Sequence, residues 1–171
     1  MERTTTFDTE LGRCAVRWTE VGISGVLLPL RDGRPAPPDI ATLPGVVRRA
    51  IDGMTAVLAG AADDLRDVPL DHRSVDRFRR AVYAATRAVP PGATRSYGEI
   101  ARAMGLAGTD AARAVGAALA RNPTPIIVPC HRVVAADGKL TGFSAPGGLA
   151  TKRRMLELEG TPGYGQQVLF S

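Results

Sequence analysis

The sequence predicts an α+β protein, with a small antiparallel sheet and a helix first and a mainly helical region after them. Three strand-like runs fall within the first 30 residues, and helical spacing of apolar and small residues governs the second half. Charge divides the chain at the same place: residues 1–71 hold 8 Lys and Arg against 11 Asp and Glu, a net −3, whereas residues 72–171 hold 14 against 6, a net +8. We therefore expect two domains, 1–71 and 72–171, and a chain of 171 residues is long enough for a proper core.

The N-terminal domain is expected to contain three strands and one helix. The strands are rich in Thr, Val and Leu, and they cover residues 3–8, 13–20 and 23–30. Pro and Gly are frequent in residues 31–44, which predicts an irregular loop. Apolar residues at helical spacing predict a helix over residues 46–58, ended by Gly60. The acidic stretch 61–71 is expected to link the two domains.

The C-terminal domain is expected to begin with a helix. Its apolar face is formed by Phe78, Ala81, Val82 and Ala85. Either Ser74 or Asp76 can cap this helix, because both are short polar side chains that accept from backbone N–H groups. The helix is expected to run through Val89, after which Pro90-Pro91-Gly92 ends it.

Two shorter helices are expected next, around a glycine turn. Residues 96–99, Ser-Tyr-Gly-Glu, form a capping box that predicts a helix to about Met104. After a tight turn at residues 105–108, either Thr109 or Asp110 is expected to cap the second helix. Such a pair is typical of a helix-turn-helix, although many helical hairpins bind no nucleic acid.

The second of these helices, which ends at Ala120, is poor in long side chains. Small residues occupy most of its positions: Ala111, Ala112, Ala114, Gly116, Ala117, Ala118 and Ala120. Such a helix either packs closely against another helix in the core or brings its backbone close to a DNA groove. Arg113 is the one long residue near its start. The basic C-terminal half favours a polyanion partner, but an ordinary solvated surface would give the same charge.

Residues 122–134, Asn-Pro-Thr-Pro-Ile-Ile-Val-Pro-Cys-His-Arg-Val-Val, are the most informative stretch of the chain. The apolar run 126–128 and the φ-restricting Pro129 predict a buried strand that delivers the Cys130 thiol into the interior or a pocket. A thiolate is a strong nucleophile, and a neighbouring imidazole such as that of His131 commonly generates it. From the residues alone, a reactive thiol and an inert core cysteine both stay open for Cys130, whereas Cys14 in a strand-like run is expected to be inert.

The Pro-Cys-His-Arg-Val motif with its upstream Asn-Pro resembles the active-site signature of the O6-alkylguanine-DNA alkyltransferases. This family of repair proteins is also called methylated-DNA–protein-cysteine methyltransferases. The similarity runs from about residue 77 to residue 160, and further blocks occur in the family's order at residues 96–101, 111–116 and 147–149 with Lys152. Two departures concern the substrate-side loop, where Gly142-Phe143 stands for the family's Gly-Tyr and about two extra residues follow.

The resemblance implies an irreversible transfer of the alkyl group to Cys130. His131 would take the thiol proton through a water, and Glu159 would hold that histidine as a cation, which would lower the pKa of Cys130. Asn122 would tie the turn after the small-residue helix to the active-site loop. Arg132 is expected to serve the structure rather than to contact the substrate.

The resemblance also implies how DNA and the flipped base are held. The small-residue helix would enter the minor groove, with Ala112 and Gly116 against the DNA and Arg113 in place of the extruded base. Tyr97 would donate its hydroxyl to the flipped guanine under the DNA backbone. The rest of the base pocket would be formed by the main chain of Cys130 and Val133, by the Phe143 ring and by the backbone of Ser144.

The resulting expectation is a single-turnover repair enzyme for double-stranded DNA that contains O6-alkylguanine and, less readily, O4-alkylthymine. The reaction needs no cofactor. Two Cys and two His lie too far apart in sequence for a metal site, so no metal is expected. No segment has the length of a membrane span, and a reactive thiol suits the reducing bacterial cytoplasm. We expect a monomer, with cooperative binding along DNA left open.

The alternatives belong to other functional classes. One is a non-catalytic relative that binds alkylated DNA, although such proteins lack the cysteine that stands here as Cys130. Another is a transcriptional regulator that uses only the helix-turn-helix. A third is a Cys-His hydrolase, but the catalytic pair of those enzymes comes from distant segments rather than from adjacent residues.

The N-terminal third is less similar to the family than the rest of the chain. By association, the resemblance implies a ribonuclease H-like domain for residues 1–71. The C-terminal domain, residues 72–171, is expected to be mainly helical, with a winged helix-turn-helix and the active-site cysteine.

Overall fold

The computed structural model describes residues 1–30 and 33–165 and confirms the α+β class. Three antiparallel strands form one sheet in the order β1-β2-β3, with the bounds Arg3–Thr9 for β1, Gly12–Trp18 for β2 and Ile23–Leu27 for β3. Cys14, Val16 and Trp18 point to the same face because side chains alternate along a strand. That face packs in one apolar core with helix α1, Gly45–Val57.

The strand and helix ends differ from the predicted ones for local reasons. β2 stops at Trp18 instead of Glu20, because the pairing with β3 is irregular at Arg17 and Trp18 and Thr19 then begins a turn. β3 stops at Leu27 because Pro29 has no N–H for a strand ladder. The predicted loop is irregular at residues 33–39, contains a 3₁₀ turn at Ile40–Thr42, and lies outside the described residues at positions 31 and 32.

The acidic stretch 61–71 is more than a linker. Leu65 and Val68 are each 1% exposed and belong to the N-terminal core. Arg49 of α1 donates to the carboxylates of Asp63 and Asp67 at 2.7–2.9 Å. The stretch therefore packs against the helix and core that precede it.

The second half is mainly helical, as predicted. Its elements are α2, Arg77–Arg87; β4, Arg95–Ser96; α3, Tyr97–Ala103; α4, Thr109–Ala120; a 3₁₀ turn, Cys130–Arg132; β5, Val133–Val134; and α5, Gly148–Leu158. α3 and α4 pack against each other and form the helix-turn-helix, with α2 against both. The short strands β4 and β5 are parallel. This pairing places the residues that follow Cys130 beside the start of α3.

The helix caps decide between the alternatives that the sequence left open. Asp76 caps α2, since its carboxylate accepts from Arg79 N at 2.9 Å, and the helix ends two residues before Val89. Ser96 and Glu99 make the predicted capping box. α4 is capped by neither predicted residue: Gly108, with φ 96°, is its N-cap, and Thr109 and Asp110 lie within the first turn. A glycine suits this position because its φ is positive.

The two halves share core residues. Ile126 and Ile127, from the segment before Cys130, pack into the N-terminal core together with Met155 of α5. Val26 N of β3 donates to Pro123 O at 2.9 Å, which fixes the same segment against the sheet edge. The division at residue 71 stays a prediction. Among the described residues, no helix is long and apolar enough to cross a membrane.

Candidate active site

The segment that carries Cys130 is a series of turns. The prediction of a buried strand here is wrong, although residues 126–128 are at most 1% exposed. Three prolines between Asn122 and Cys130 remove backbone donors, so a strand ladder cannot form. Val128 N donates to Thr124 O at 2.9 Å, and Cys130 N donates to Val128 O at 2.8 Å across Pro129, at φ −80° and ψ 64°. The second contact is an inverse γ-turn, which aims the thiol.

Ile126 has a backbone conformation that its side chain disfavours. Its φ is 73°, in the left-handed region, where a β-branched residue is an outlier. Such strain persists only where the surroundings fix the backbone, and it is common at functional sites. Here the buried side chains of Ile126 and Ile127 anchor the turn in the N-terminal core.

Asn122 holds the turn together from its first residue. Its Nδ2 donates to Val128 O at 2.9 Å, and its Oδ1 accepts from Thr124 N at 3.0 Å. Asn122 and Cys130 line the same cavity, and the Asn122 side chain opposes the rise in the pKa of the Cys130 thiol that burial causes. The bond to Val128 O therefore ties the end of α4 to the segment that carries Cys130.

A fully buried charged cluster lies behind the thiol. Glu159 Oε1 is 2.8 Å from His131 Nε2 and 2.7 Å from Arg132 Nη2, and Glu159 Oε2 accepts from Arg132 Nε at 3.0 Å. Arg132 also donates to Val89 O at 2.8 Å. Two parallel bonds from a guanidinium hold a carboxylate firmly. The sequence predicted only a structural role for Arg132. In the structure, Arg132 is the residue that orients Glu159.

The pKa directions correct one expectation. Burial lowers the pKa of His131, and the charge and hydrogen bond of Glu159 oppose this without reversing it. Burial raises the pKa of Cys130, against the hydrogen bond of Asn122 and the charge of Lys152. The resting site therefore holds a neutral imidazole and a neutral thiol. The expected histidine cation and lowered thiol pKa are wrong for this state, because desolvation outweighs the partners.

The Glu159 carboxyl, in contrast, rests ionised. Burial alone would raise its pKa, but the charge of Arg132, the charge of His131 in its protonated form and the hydrogen bonds of both residues outweigh burial and lower the pKa to about 2. A neutral His131 then donates Nε2–H to Glu159 and keeps its Nδ1 lone pair. That Nδ1 atom is buried and has no hydrogen-bond partner among the described residues.

A second charged group, which the sequence suggested only as part of a family block, is Lys152. It is 1% exposed, and its Nζ donates to Val133 O at 2.6 Å, to Thr141 O at 2.9 Å and to the Tyr97 hydroxyl at 3.4 Å. Burial lowers its pKa to about 8. One sequence signal was available: Lys152, Met155, Leu156 and Glu159 are spaced to share one helical face.

A cavity of about 330 Å³ opens beside the thiol. Its lining includes three residues expected in the base pocket, Tyr97, Phe143 and Ser144, together with Cys130 and Asn122. Apolar residues of the N-terminal half complete it: Val26, Leu27, Leu28 and Leu30. Phe143 packs against both cores, and Ser144 Oγ donates to Ala120 O at 2.7 Å.

Val133 is placed differently from the other expected pocket residues. It is fully buried and not among the residues that line the cavity, and its carbonyl accepts from Lys152. Because a carbonyl oxygen has two lone pairs, a second donor is chemically possible.

The small-residue helix α4 packs closely in the core, which is the first of the two alternatives that its composition left open, and its approach to a DNA groove stays a prediction. Val115, Ala118 and Leu119 are buried in the C-terminal core. Arg113 is exposed and Ala112 is half-buried. Gly116 faces the Tyr97 ring, since a Cβ atom there would lie 3.7 Å from two ring carbons. The helix thus packs closely on its inner side and presents Arg113 to solvent on its outer side.

No group of three or more His, Cys, Asp or Glu side chains within residues 1–30 and 33–165 is arranged as metal ligands.

The sequence of the chain is similar to the sequences of 6-O-methylguanine DNA methyltransferases. A family model described as 6-O-methylguanine DNA methyltransferase, DNA binding domain, matches residues 77–161. A methylated-DNA–protein-cysteine methyltransferase of Mycobacterium bovis is 48% identical over 127 residues, which are 74% of this chain and 73% of the relative.

Two further comparisons concern DNA. The crystal structure of Mycobacterium tuberculosis OGT in complex with DNA matches with a TM-score of 0.73 and 40% identity, over 92% of both chains. A protein of Thermus thermophilus named DNA base-flipping protein is 42% identical over 112 residues, which are 66% of this chain and 72% of the relative. The similar proteins therefore include some named methyltransferases and one named a base-flipping protein, so similarity alone does not separate the two functions.

Proposed function

This chain belongs to the family of methylated-DNA–protein-cysteine methyltransferases, and we propose that it repairs O6-alkylguanine in double-stranded DNA by moving the alkyl group to Cys130. One observation carries the proposal: the Cys130 thiol lies at a cavity, with a hydrogen-bonding Asn122 beside it and the buried His131–Glu159 pair behind it. These groups supply a nucleophile, a donor for its charged form and a base for its proton.

The thiol would be activated only when the reaction begins. His131 Nδ1 takes the Cys130 proton through a water, and Glu159 then stabilises the imidazolium that forms. Asn122 and Lys152 stabilise the thiolate, since one donates a hydrogen bond and the other is a nearby cation. A resting neutral pair suits a protein whose nucleophile is used once, because a neutral thiol is less reactive than a thiolate.

In the transfer step the sulfur forms a bond to the alkyl carbon as the carbon–O6 bond breaks. The electron pair of the broken bond goes to the purine. The Tyr97 hydroxyl donates a proton to the departing base, and Lys152 stabilises the charge left on the tyrosine oxygen, to which it is bonded at 3.4 Å. The product is a stable thioether, so each molecule reacts once and needs no cofactor.

The target base must leave the duplex, because its O6 atom is stacked among neighbouring bases. The exposed Arg113 near the start of α4 is the residue that would enter the vacated position. Other exposed arginines on or next to the same helix pair, Arg95, Arg102 and Arg121, would contact phosphates. We expect the protein to act as a monomer in the reducing bacterial cytoplasm.

The base pocket favours a flat purine. The cavity is lined by the aromatic side chains of Phe143 and Tyr97, and the Tyr97 hydroxyl, which donates to Thr141 O at 3.1 Å in this structure, would turn to the base as it binds. The backbone of Ser144 and the carbonyls of Cys130 and Val133 would bond the polar edge of the guanine. An O4-alkylthymine is smaller and would make fewer contacts, so its repair would be slower.

Intact-mass measurement after incubation with a duplex that contains one O6-methylguanine tests this proposal. The protein should gain one methyl group in place of a hydrogen, and an unmodified duplex should give no change. Tight binding of the methylated duplex without any gain in mass would instead favour the base-flipping function named for the Thermus thermophilus relative.

A further inference from the structure

A chain of hydrogen-bonded side chains connects the junction of the two halves to the thiol. His72, half-buried after the acidic stretch, has its Nε2 atom 3.1 Å from Thr124 Oγ1. Thr124 is fully buried, and its hydroxyl lies 3.5 Å from Asn122 Oδ1. Asn122 in turn donates to Val128 O at 2.9 Å and lines the same cavity as Cys130. His72, Thr124 and Asn122 therefore form a chain of side chains that ends beside the reacting sulfur.

The His72 ring is held from several sides. Its neighbour Asp71 donates its backbone N–H to Ile23 O of β3 at 2.7 Å. The ring meets the Tyr83 ring edge-on, with centroids 5.6 Å apart, and the Tyr83 hydroxyl is fixed by Ala118 O at 2.6 Å. Burial and the nearby Arg87 charge lower the pKa of His72. A neutral imidazole has one N–H, and because the Thr124 hydroxyl donates to Asn122 Oδ1, the tautomer with the hydrogen on Nε2 fits this contact.

We propose that His72 and Thr124 are positioning residues for the alkyl transfer of the proposed function. His72 Nε2–H donates to Thr124 Oγ1, and this turns the threonine hydroxyl hydrogen toward Asn122 Oδ1. With Oδ1 bonded by the Thr124 hydroxyl and backbone, the Asn122 amide keeps its Nδ2 toward Val128 O and the sulfur.

The Asn122 amide is worth positioning because the thiol is buried. Burial raises the pKa of Cys130, and the hydrogen bond from Asn122 is the largest effect that acts against it. An amide that rotates would present its oxygen to the thiolate part of the time. The thiolate would then be less populated, and transfer would slow while the shape of the cavity stayed the same.

Reaction with free O6-benzylguanine separates this role from DNA binding, because a free base needs no flipping. Thr124→Val removes the hydroxyl and nearly keeps the shape. It should lower the maximal rate constant roughly five- to ten-fold, the factor of one ordinary hydrogen bond, and leave the half-saturating concentration unchanged. Thr124→Ser keeps the hydroxyl and should restore the rate. His72→Ala should lower the rate constant by a smaller factor. Combining it with Thr124→Val should lower the rate constant little further.

Thr86→Val is the matched control. Thr86 is also fully buried, and its hydroxyl donates to Val82 O at 2.7 Å within α2, away from the thiol. It should lose stability to a similar degree and keep the wild-type rate constant.

Three outcomes would overturn the inference. A wild-type rate constant for Thr124→Val would show that the hydroxyl serves only folding, and that result rejects a positioning role. An equal fall in the rate constant for Thr124→Val and Thr86→Val also rejects it. If the wild-type protein reacts with neither the free base nor the methylated duplex, the proposed function fails and this inference fails with it.

Discussion

The two cysteines lie in regions that are similar in burial and different in what surrounds the sulfur. Cys14, in the middle strand of the sheet, is fully buried, and Cys130, in the turn segment, is 9% exposed. Burial is the main cause that raises the pKa of each thiol, that of Cys14 to about 11. Burial alone therefore does not separate an inert thiol from a reactive one.

The difference lies in the neighbouring donors, bases and open space. Cys14 has weak contacts of 3.8 Å to Thr9 Oγ1 and Gly12 O. Cys130 lines a cavity together with Asn122, and the Asn122 side chain and the Lys152 charge both oppose the rise in its pKa. A regular strand satisfies its own backbone and leaves no group free to act on a side chain. The irregular segment around Cys130 has its amide, imidazole and carboxylate arranged around the sulfur instead.

Removing each thiol by substitution with alanine should give the largest contrast. Cys130→Ala should abolish transfer from both the methylated duplex and free O6-benzylguanine, because no other group takes the alkyl carbon. Cys14→Ala should keep the wild-type rate and lose stability by about 1 kcal/mol, a typical cost of a small core deletion. Single-turnover rates and denaturant unfolding measure both effects. Transfer by Cys130→Ala would mean that another residue is the acceptor.

Weakening the base behind Cys130 should give the next largest effect. Glu159→Gln removes the charge that stabilises the His131 imidazolium, so transfer should slow by on the order of 10². Glu157→Gln is the matched control, since Glu157 pairs at 3.7 Å with the exposed Arg154. Rates are measured with the free base on variants shown to be folded. A wild-type rate for Glu159→Gln would remove Glu159 from the mechanism.

The contrast between the site and the surface proposed to contact DNA is tested at Arg113. Flipping a base costs a few kcal/mol, and an inserted guanidinium recovers part of it. If that part is about 2 kcal/mol, Arg113→Ala should slow duplex repair about thirty-fold. Reaction with free O6-benzylguanine should be nearly unchanged. Arg121→Ala, which removes an exposed charge from the other end of α4, controls for lost phosphate attraction.

Equal slowing of the duplex and free-base reactions by Arg113→Ala would contradict the assignment. Arg113 would then support the fold or the thiolate, and α4 would lose its main support as the element that enters DNA.

Acid stability should also distinguish the buried cluster, by a smaller effect. The pKa of Glu159 is about 2 in the folded protein, below its ordinary value of 4.5. A carboxyl group whose pKa is lowered by folding stabilises the folded protein at pH values above its pKa in the unfolded chain. This contribution is lost as pH falls from about 4.5 through about 2. The free energy of unfolding of the wild type should fall more steeply in this window than that of Glu159→Gln. Parallel pH dependence of the two proteins would show that the carboxylate is not held by its partners.

Local patterns were sufficient to predict much of this architecture. The alternation around Cys14, the helical spacing of α1 and the Ser96–Glu99 capping box are short-range signals, and each formed close to its predicted place. The turned-in Glu159 carboxylate also followed from spacing on one helical face. The family motif led directly to Cys130, His131 and Asn122, which the fold brings together.

What local patterns missed depends on residues far apart in sequence. Arg132 is fixed by Val89 O and Lys152 by Thr141 O, and neither partner is within the reach of a local pattern. An apolar run predicted a strand at residues 126–128, but the prolines around it and the anchoring core imposed turns. The neutral resting state of His131 was missed for the same reason, since desolvation is a property of the assembled core.

Peptide mapping of the alkylated protein tests the central claim most directly. The protein is incubated with an excess of duplex that contains O6-methylguanine, and methylation is measured separately on the peptides that contain Cys14 and Cys130. The account predicts one methyl group per molecule, on Cys130 alone, with no further transfer when fresh duplex is added. Methyl groups on Cys14, or repeated transfer by one protein molecule, would contradict it.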